Sequence, residues 1–298
     1  MTNYRIKKPV LTVYMPVFNA ALYLNSAIES ILSQTYTNFE FIIVDDASTD
    51  NSWKIIQKYA RTDKRIRAFK NKLNLGVSLT SNIAISMARG KLLARMDADD
   101  ISLPSRLEKQ IKYLQKNKNT VAVGSQCICI DADSKIIGYK KFPTNPQKIS
   151  KMLIWAIPLQ QPSLMINLNL IPANFAWYDR DKSSAEEVNL MFKLIKFGRL
   201  ANLPDYLLYY RQTPTSLSHR NPKLTFYLTL QSRILALENG YKPTIVGIML
   251  NFIQLIAVFI LPSKTINLVW NLIRGITSRE TEFTIGTLAT NKAQTSID

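Results

Sequence analysis

Acidic side chains gather at three places in this chain where they could do chemistry. Asp45-Asp46 and Asp97-Ala98-Asp99-Asp100 each follow an apolar run, and Glu186-Glu187 opens a run with helical spacing. Carboxylates crowded in this way repel one another, so they persist best when a cation or a hydrogen-bond donor neutralises them. In Asp97-Ala98-Asp99 the two acids stand two apart and can converge on one site, one oxygen taking a divalent metal and the other a sugar hydroxyl. Mg²⁺ and Mn²⁺ favour sparse carboxylate ligation of this kind, with phosphate oxygens completing the shell. The same residues also suit duty without a ligand. Asp favours turns, and two Glu in a first helical turn complement the helix dipole.

The elements that must position these acids follow from the spacing of apolar residues. Val10 to Met15 reads as a buried strand, and Leu22 to Ser33 as a helix on Leu22, Ala27, Ile28, Ile31 and Leu32. Phe39 to Val44 is a second strand ending at Asp45-Asp46. Ser48-Thr49-Asp50 then supplies a cap signal for a helix through Trp53, Ile56 and Tyr59. The alternation continues with a strand at Ile66 to Phe69, a helix at Leu79 to Ala88, and a strand at Lys91 to Met96 that ends in Asp97. A helix from about Ser105 to Gln115 and a strand through Cys127 and Cys129 follow. Such alternation is the signature of right-handed βαβ units and a mostly parallel sheet. Ligands of these sheets sit beyond the carboxyl ends of the strands, which is where two of the acidic clusters fall. After Lys135 the pattern is less regular and rich in proline, with one further helix expected at Ala185 to Phe197.

Composition narrows the partners. The 298 residues carry 38 Lys+Arg against 21 Asp+Glu, a net charge of +17, with 47% hydrophobic residues. That apolar content excludes a disordered chain, and the length gives ample core without disulfides. The charge excess calls for a polyanion: nucleic acid, an anionic membrane face or a phosphorylated ligand. Nucleic acid is set aside, because no aromatic stacking motif interleaves with the basic residues and no reader helix is recognisable. The two cysteines, Cys127 and Cys129, read as buried thiols of a reducing cytosol, since a bridge between i and i+2 of a strand would be strained.

Several spaced strings resemble one family in order. Pro16-Val17-Phe18-Asn19, Ser30 to Tyr36 and Val44-Asp45-Asp46-Ala47-Ser48-Thr49-Asp50 look like the opening of family 2 glycosyltransferases. Asn74-Leu75-Gly76, Ala88-Arg89-Gly90, Asp97 to Asp100 and Pro104-x-Arg106-Leu107 continue it, and the likeness covers about residues 9 to 220. It implies an α/β GT-A fold, a mostly parallel nucleotide-binding sheet flanked by helices with a mixed acceptor half; the apolar run beyond it reads as a C-terminal helical tail. The catalytic domain would span 1–222, with the nucleotide-sugar half over about 9–120 and the acceptor half over 121–222. A helical segment over 223–276 and a polar, disordered tail over 277–298 would follow.

The resemblance also implies a nucleotide-sugar donor, a UDP-sugar foremost, a divalent metal (Mn²⁺ or Mg²⁺) and inversion at the anomeric carbon. It places Pro16, Asp46 and Asn74 with the nucleotide, Asp97 near the ribose and donor sugar, and Asp99 with Asp100 on the metal. Where the family has Glu-Asp followed by x-Asp-Leu, this chain has Glu186-Glu187-Val188-Asn189-Leu190. Glu187 then stands as the catalytic base, with Glu186 as its substitute and Asn189 in place of the second acid. Thr213 stands where the family often has His, and the only histidine is His219. Those departures leave open a catalytically degenerate binding or scaffold module. Trp177-Tyr178-Asp179 suits either stacking on a sugar ring or core packing.

Thr244 to Leu261 runs about 18 residues without a charge, near the roughly 20 a spanning helix needs. Three readings stay open for it: an anchor on a membrane surface, a helix packed on protein, or a span. With the basic stretch Lys54 to Lys72 it points to an anionic membrane surface as partner. That gives a cytoplasmic location at the inner face of the cell membrane and a glycan or lipid-linked acceptor. A homo-oligomer is compatible with this reading.

Overall fold

The computed structural model describes residues 9–179, 186–213 and 222–262. The expected polar tail and His219 lie outside them. The first half is built as the apolar spacing demands. Strands β1 (Leu11–Val17), β2 (Phe39–Asp45), β3 (Ile66–Lys70) and β4 (Leu92–Arg95) lie side by side in the order β3-β2-β1-β4, every pair parallel. Helices α1 (Leu24–Leu32), α2 (Ser52–Thr62) and α3 (Gly76–Ser86) are the crossovers. Because both faces are covered, β2 is buried at every position and reads as a continuous apolar run with acids only at Glu40 and its end.

The second half is mixed. Helix α4 (Arg106–Lys116) leads to β6 (Thr120–Ile130), and β8 (Met165–Asn167) inserts antiparallel between β4 and β6. The long β9 (Arg199–Arg211) runs parallel to β6, the two-residue β5 (Ile101–Ser102) pairs with its far end, and β7 (Ile136–Lys140) hairpins onto β6. Short α5 (Pro146–Met152) and α6 (Glu186–Leu194) complete the domain. Cys127 and Cys129 are free and buried, as their spacing requires.

Two glycines from the family-like strings are there for backbone reasons. A Cβ on Gly90 would sit 2.5 Å from the Thr12 nitrogen, so only glycine lets this turn lie against β1. Gly76 has φ +81 and opens α3 three residues earlier than the Leu79 start expected from periodicity. The signal missed there was chemical: the Leu75 and Gly76 amides donate to Asp46, which holds the helix start.

The chain closes with two helices, α7 (Pro222–Glu238) and α8 (Ile245–Ile260). Among the described residues no helix is long and apolar enough to cross a membrane, so the spanning reading of 244–261 is set aside. The segment forms a 16-residue helix, capped by the Thr244 hydroxyl on the Gly247 amide.

Candidate active site

The acids meet at the carboxyl edge of the parallel half. Asp97 to Asp100 leave the end of β4, next to the ends of β1 and β2. The loops at those ends are stapled together: Asn19 and Ala20 donate through their amides to Ser48 Oγ and Ser52 Oγ, and Ala21 donates to Asp50. Asp50 also accepts from the Ser52 amide at 2.8 Å, although the cap position of α2 falls one residue later, on Asn51. Asn19 and Ala47 both adopt left-handed backbone, φ 47 and 58, an arrangement that costs energy outside glycine and recurs at functional sites.

Pro16 is half-buried near the end of β1, and Asn74 is exposed on the loop before α3. Asp46 is buried and accepts from the Asn71 side chain and the Leu75 and Gly76 amides, all at 2.8 to 2.9 Å. A carboxylate has about four acceptor positions, so roughly one is left to face a ligand. Asp46 therefore shapes the Asn71–Gly76 loop at the same time as it lines the edge.

Arg95, which sequence reasoning passed over, organises the acidic loop. It is almost wholly buried, and its Nε donates to Asp97 Oδ1 at 2.8 Å. Its guanidinium also lies over the Tyr178 ring, 5.8 Å from the centroid. Burial works against its charge, but Asp97, Tyr178, Tyr14 and Glu186 together outweigh that and hold it firmly protonated. A cation inside the apolar run Leu92-Leu93-Ala94-Arg95-Met96 was the available signal, since a buried charge must have a partner. Behind it, the Tyr178 hydroxyl meets that of Tyr14 at 2.9 Å and accepts from Gln161 at 3.2 Å. Tyr178 is thus core packing rather than a stacking platform, and Trp177 packs edge-on against Phe175.

Asp99 is half-buried, and burial together with the charge of Asp97 pushes its carboxyl up to about 6. Asp100 is buried, its pKa raised by burial and by Asp99 and Asp97. Its Oδ1 accepts the Arg211 amide at 2.8 Å, and its Oδ2 has no hydrogen-bond partner. Arg211 in turn donates to the Asp99 carbonyl and covers Tyr23 at 4.2 Å, locking the end of β9 to the acidic loop. Arg106 supports the loop from below, donating to the carbonyls of Arg95 and Pro162.

The third cluster arrives from far along the chain. Glu186 is buried, and its Oε2 has no partner. Burial and then the neighbouring Glu187 push its pKa up to about 8, against the opposing pull of Arg95. Arg95 and Asp97 both act on it, so the start of α6 lies within electrostatic reach of the end of β4. Glu187 is half-buried beside Glu186. Asn189 donates to Asp179, which also binds Lys193 at 2.9 Å, so it ties α6 to the preceding loop.

The donor set suits a divalent cation. Carboxylates Asp99 and Asp100 are hard oxygen ligands crowded beside Asp97, and the orphaned Asp100 Oδ2 is an acceptor with nothing to accept. No group of three or more His, Cys, Asp or Glu side chains arranged to hold a metal occurs among the described residues. Mg²⁺ and Mn²⁺ need no such cage, since water and phosphate oxygens fill most of their shell.

Residues 12–184 match the family model described as glycosyl transferase family 2, more than half of the chain. The chain belongs to glycosyl transferase family 2. An uncharacterized glycosyltransferase of Haemophilus influenzae is 32% identical to this family 2 chain over 241 residues, 74% of this chain and 75% of that protein. The O-antigen biosynthesis glycosyltransferase WbnJ of Escherichia coli is 34% identical over 54% of this chain and 63% of its own length. Among solved structures, S. aureus TarS 1–349 in complex with UDP-GlcNAc superposes with a TM-score of 0.61 at 18% identity, over 74% of this chain and 66% of that one. The mannosyltransferase PcManGT of Pyrobaculum calidifontis, in complex with GDP-Man and Mn²⁺, does so at 0.57 and 17% identity, over 91% and 86%. These likenesses establish the GT-A fold for the family 2 chain.

Proposed function

We propose that this family 2 glycosyltransferase moves a sugar from a nucleoside-diphosphate donor, a UDP-sugar foremost, to a hydroxyl of a growing lipid-linked glycan in cell-surface polysaccharide synthesis. The observation that carries the reading is that Glu186, at the start of α6, lies within electrostatic reach of Arg95 and Asp97 at the end of β4, where Asp99 and Asp100 follow. Supporting it, TarS binds UDP-GlcNAc, PcManGT binds GDP-Man with Mn²⁺, and WbnJ is an O-antigen enzyme. A lipid-linked acceptor places the reaction at the cytoplasmic face of the cell membrane.

Pro16, Asp46 and Asn74 border the nucleotide, and Asp97, held by Arg95, faces the ribose and donor sugar. Asp99, with Asp100 behind it, would hold Mn²⁺ or Mg²⁺. When bound, that ion supplies Lewis-acid stabilisation of the charge on the departing diphosphate. Glu187 takes the proton of the acceptor hydroxyl as it attacks the anomeric carbon with inversion. Glu186 is the poorer base at neutral pH, because with its pKa near 8 it still carries its own proton.

Two substitutions test the assignment. Asp99→Asn should lower transfer by about 10²-fold or more with the fold intact, the scale of losing one strong electrostatic contact in a transition state. Glu187→Gln should abolish transfer while calorimetric donor binding in the presence of Mn²⁺ persists. Undiminished transfer by Glu187→Gln would move the base to Glu186, and absence of heat with every nucleotide sugar would favour a binding module.

A further inference from the structure

The C-terminal helix pair is built inside out. Of the twenty large apolar side chains exposed among the described residues, fourteen lie on α7 and α8. On α8 the polar residues face protein: Asn251 and Gln254 accept from the buried Arg233 of α7, and Gln254 donates to the Trp155 carbonyl at 2.8 Å. Gly247 sits where a Cβ would strike Ile154, so that end of the helix presses closely on the domain. The outward face is Ile245, Met249, Phe252, Ile256, Phe259 and Ile260, with Phe252 60% and Phe259 78% exposed. A helix on water shows the opposite distribution.

We propose that the outer face of α7–α8 is a docking surface for an anionic lipid bilayer. Three observations favour lipid over a protein partner. A protein interface carries about one hydrogen bond per 100–200 Å² and a polar rim, whereas α8 has no charged residue and has turned its amides inward. The helices are flanked by cations: Lys223 at the start of α7, Lys242 in the turn between them, and Lys148 and Lys151 on α5. Alpha-5 touches the same turn, since its Ser150 carbonyl accepts the Tyr241 hydroxyl. Glu238 is the only acid within 222–262, and the chain as a whole carries +17. Apolar area joined to basic residues is the combination that holds an interfacial helix on anionic lipid.

The surface also explains the position of α6. That helix packs on α7, and Phe192 stacks edge-on against Tyr241 with centroids 4.9 Å apart. Packed helices lie about 8–10 Å apart axis to axis, so α6, which begins with Glu186 and Glu187, would lie within about one helix layer of a bilayer bound to α7. A hydroxyl carried by a lipid-linked glycan is thereby delivered to Glu187. This last step rests on the transfer reaction proposed above; the docking surface does not.

Flotation of the full chain with vesicles tests it. Phosphatidylcholine vesicles containing about 30% phosphatidylglycerol should carry the chain upward, pure phosphatidylcholine far less, and about 0.5 M salt should weaken the anionic arm. Phe252→Glu/Phe259→Glu should lose at least about tenfold in partitioning, and Phe252→Gln/Phe259→Gln an intermediate amount. Both should keep the parent melting temperature and donor hydrolysis, since the replaced rings face outward. Equal flotation of the Glu pair, or flotation with neither vesicle, overturns the proposal. So does a chain that dimerises through this face and ignores vesicles. Vesicle binding without donor hydrolysis would sink the transfer reaction and leave the docking surface standing.

Discussion

Replacing Arg95 by Met removes the cation that holds Asp97 at 2.8 Å and leaves three carboxylates facing one another without it. Breaking a buried pair by deleting one partner costs about 3 kcal/mol, and urea unfolding should show a loss of that order. The donor KM should rise as Asp97 loses its orientation, and Arg95→Lys should recover part of both. An unfolding curve that does not move would show the pair to be idle. Glu186 makes a second prediction, in pH. Its pKa rises from 4.5 to about 8 on folding, so between those values the unfolded chain has lost a proton that the folded chain keeps. Unfolding therefore becomes easier as pH rises through that window and levels off above about 8. Glu186→Gln should flatten the slope between pH 5 and pH 8.5 in denaturant titrations. A slope unchanged by the substitution would place the titration elsewhere. Asp97, Asp99, Asp100 and Glu186 were all visible as candidates in the sequence, but the protonation of Glu186 was not, because burial and neighbours come from other elements.

At the scale of elements, the family-like strings turn out to be joints. Gln34, in the Ser30 to Tyr36 string, donates to the Ser30 and Leu103 carbonyls and accepts the Leu107 amide, pinning α1 to the start of α4. The Ala88-Arg89-Gly90 turn is caught by β1 and β2: Thr12 Oγ1 accepts from the Gly90 amide at 2.9 Å, and Glu40 accepts from the Arg89 amide and from Arg67. Gly90→Ala should destabilise by about 3 kcal/mol, since the new methyl meets backbone that cannot retreat. Thermal melting of the purified variant checks this, and a melting point equal to the parent's would mean that the turn yields. Periodicity marked these elements, while the hydrogen bonds joining them have no local signature.

For the whole molecule, the basic surplus divides into two kinds. Within Lys54 to Lys72, Arg65 and Arg67 are absorbed by Asp63 and Glu40, and Lys70 lies toward Asp45. Lys54, Lys58, Arg61, Lys64 and Lys72 remain exposed and contribute to the long-range field. Association with a diphosphate-sugar donor should therefore slow several-fold between about 0.05 and 0.5 M salt, as screening shortens the reach of that field. Stopped-flow binding measures it, and a rate independent of salt would confine the charge to a diffuse role.

By itself the sequence determined the alternation of strands and helices in the first half, the acids at strand ends, the buried thiols and the ordered family-like strings. These depend on local spacing and on residue type, which need no knowledge of the partner. Only the tertiary structure decided that β8 inserts between β4 and β6, that Arg95 is the partner of Asp97, that Asn189 is bonded to Asp179, and that α8 turns its apolar face outward. Periodicity says that a helix has an apolar face; what that face meets is set by elements far away in the chain.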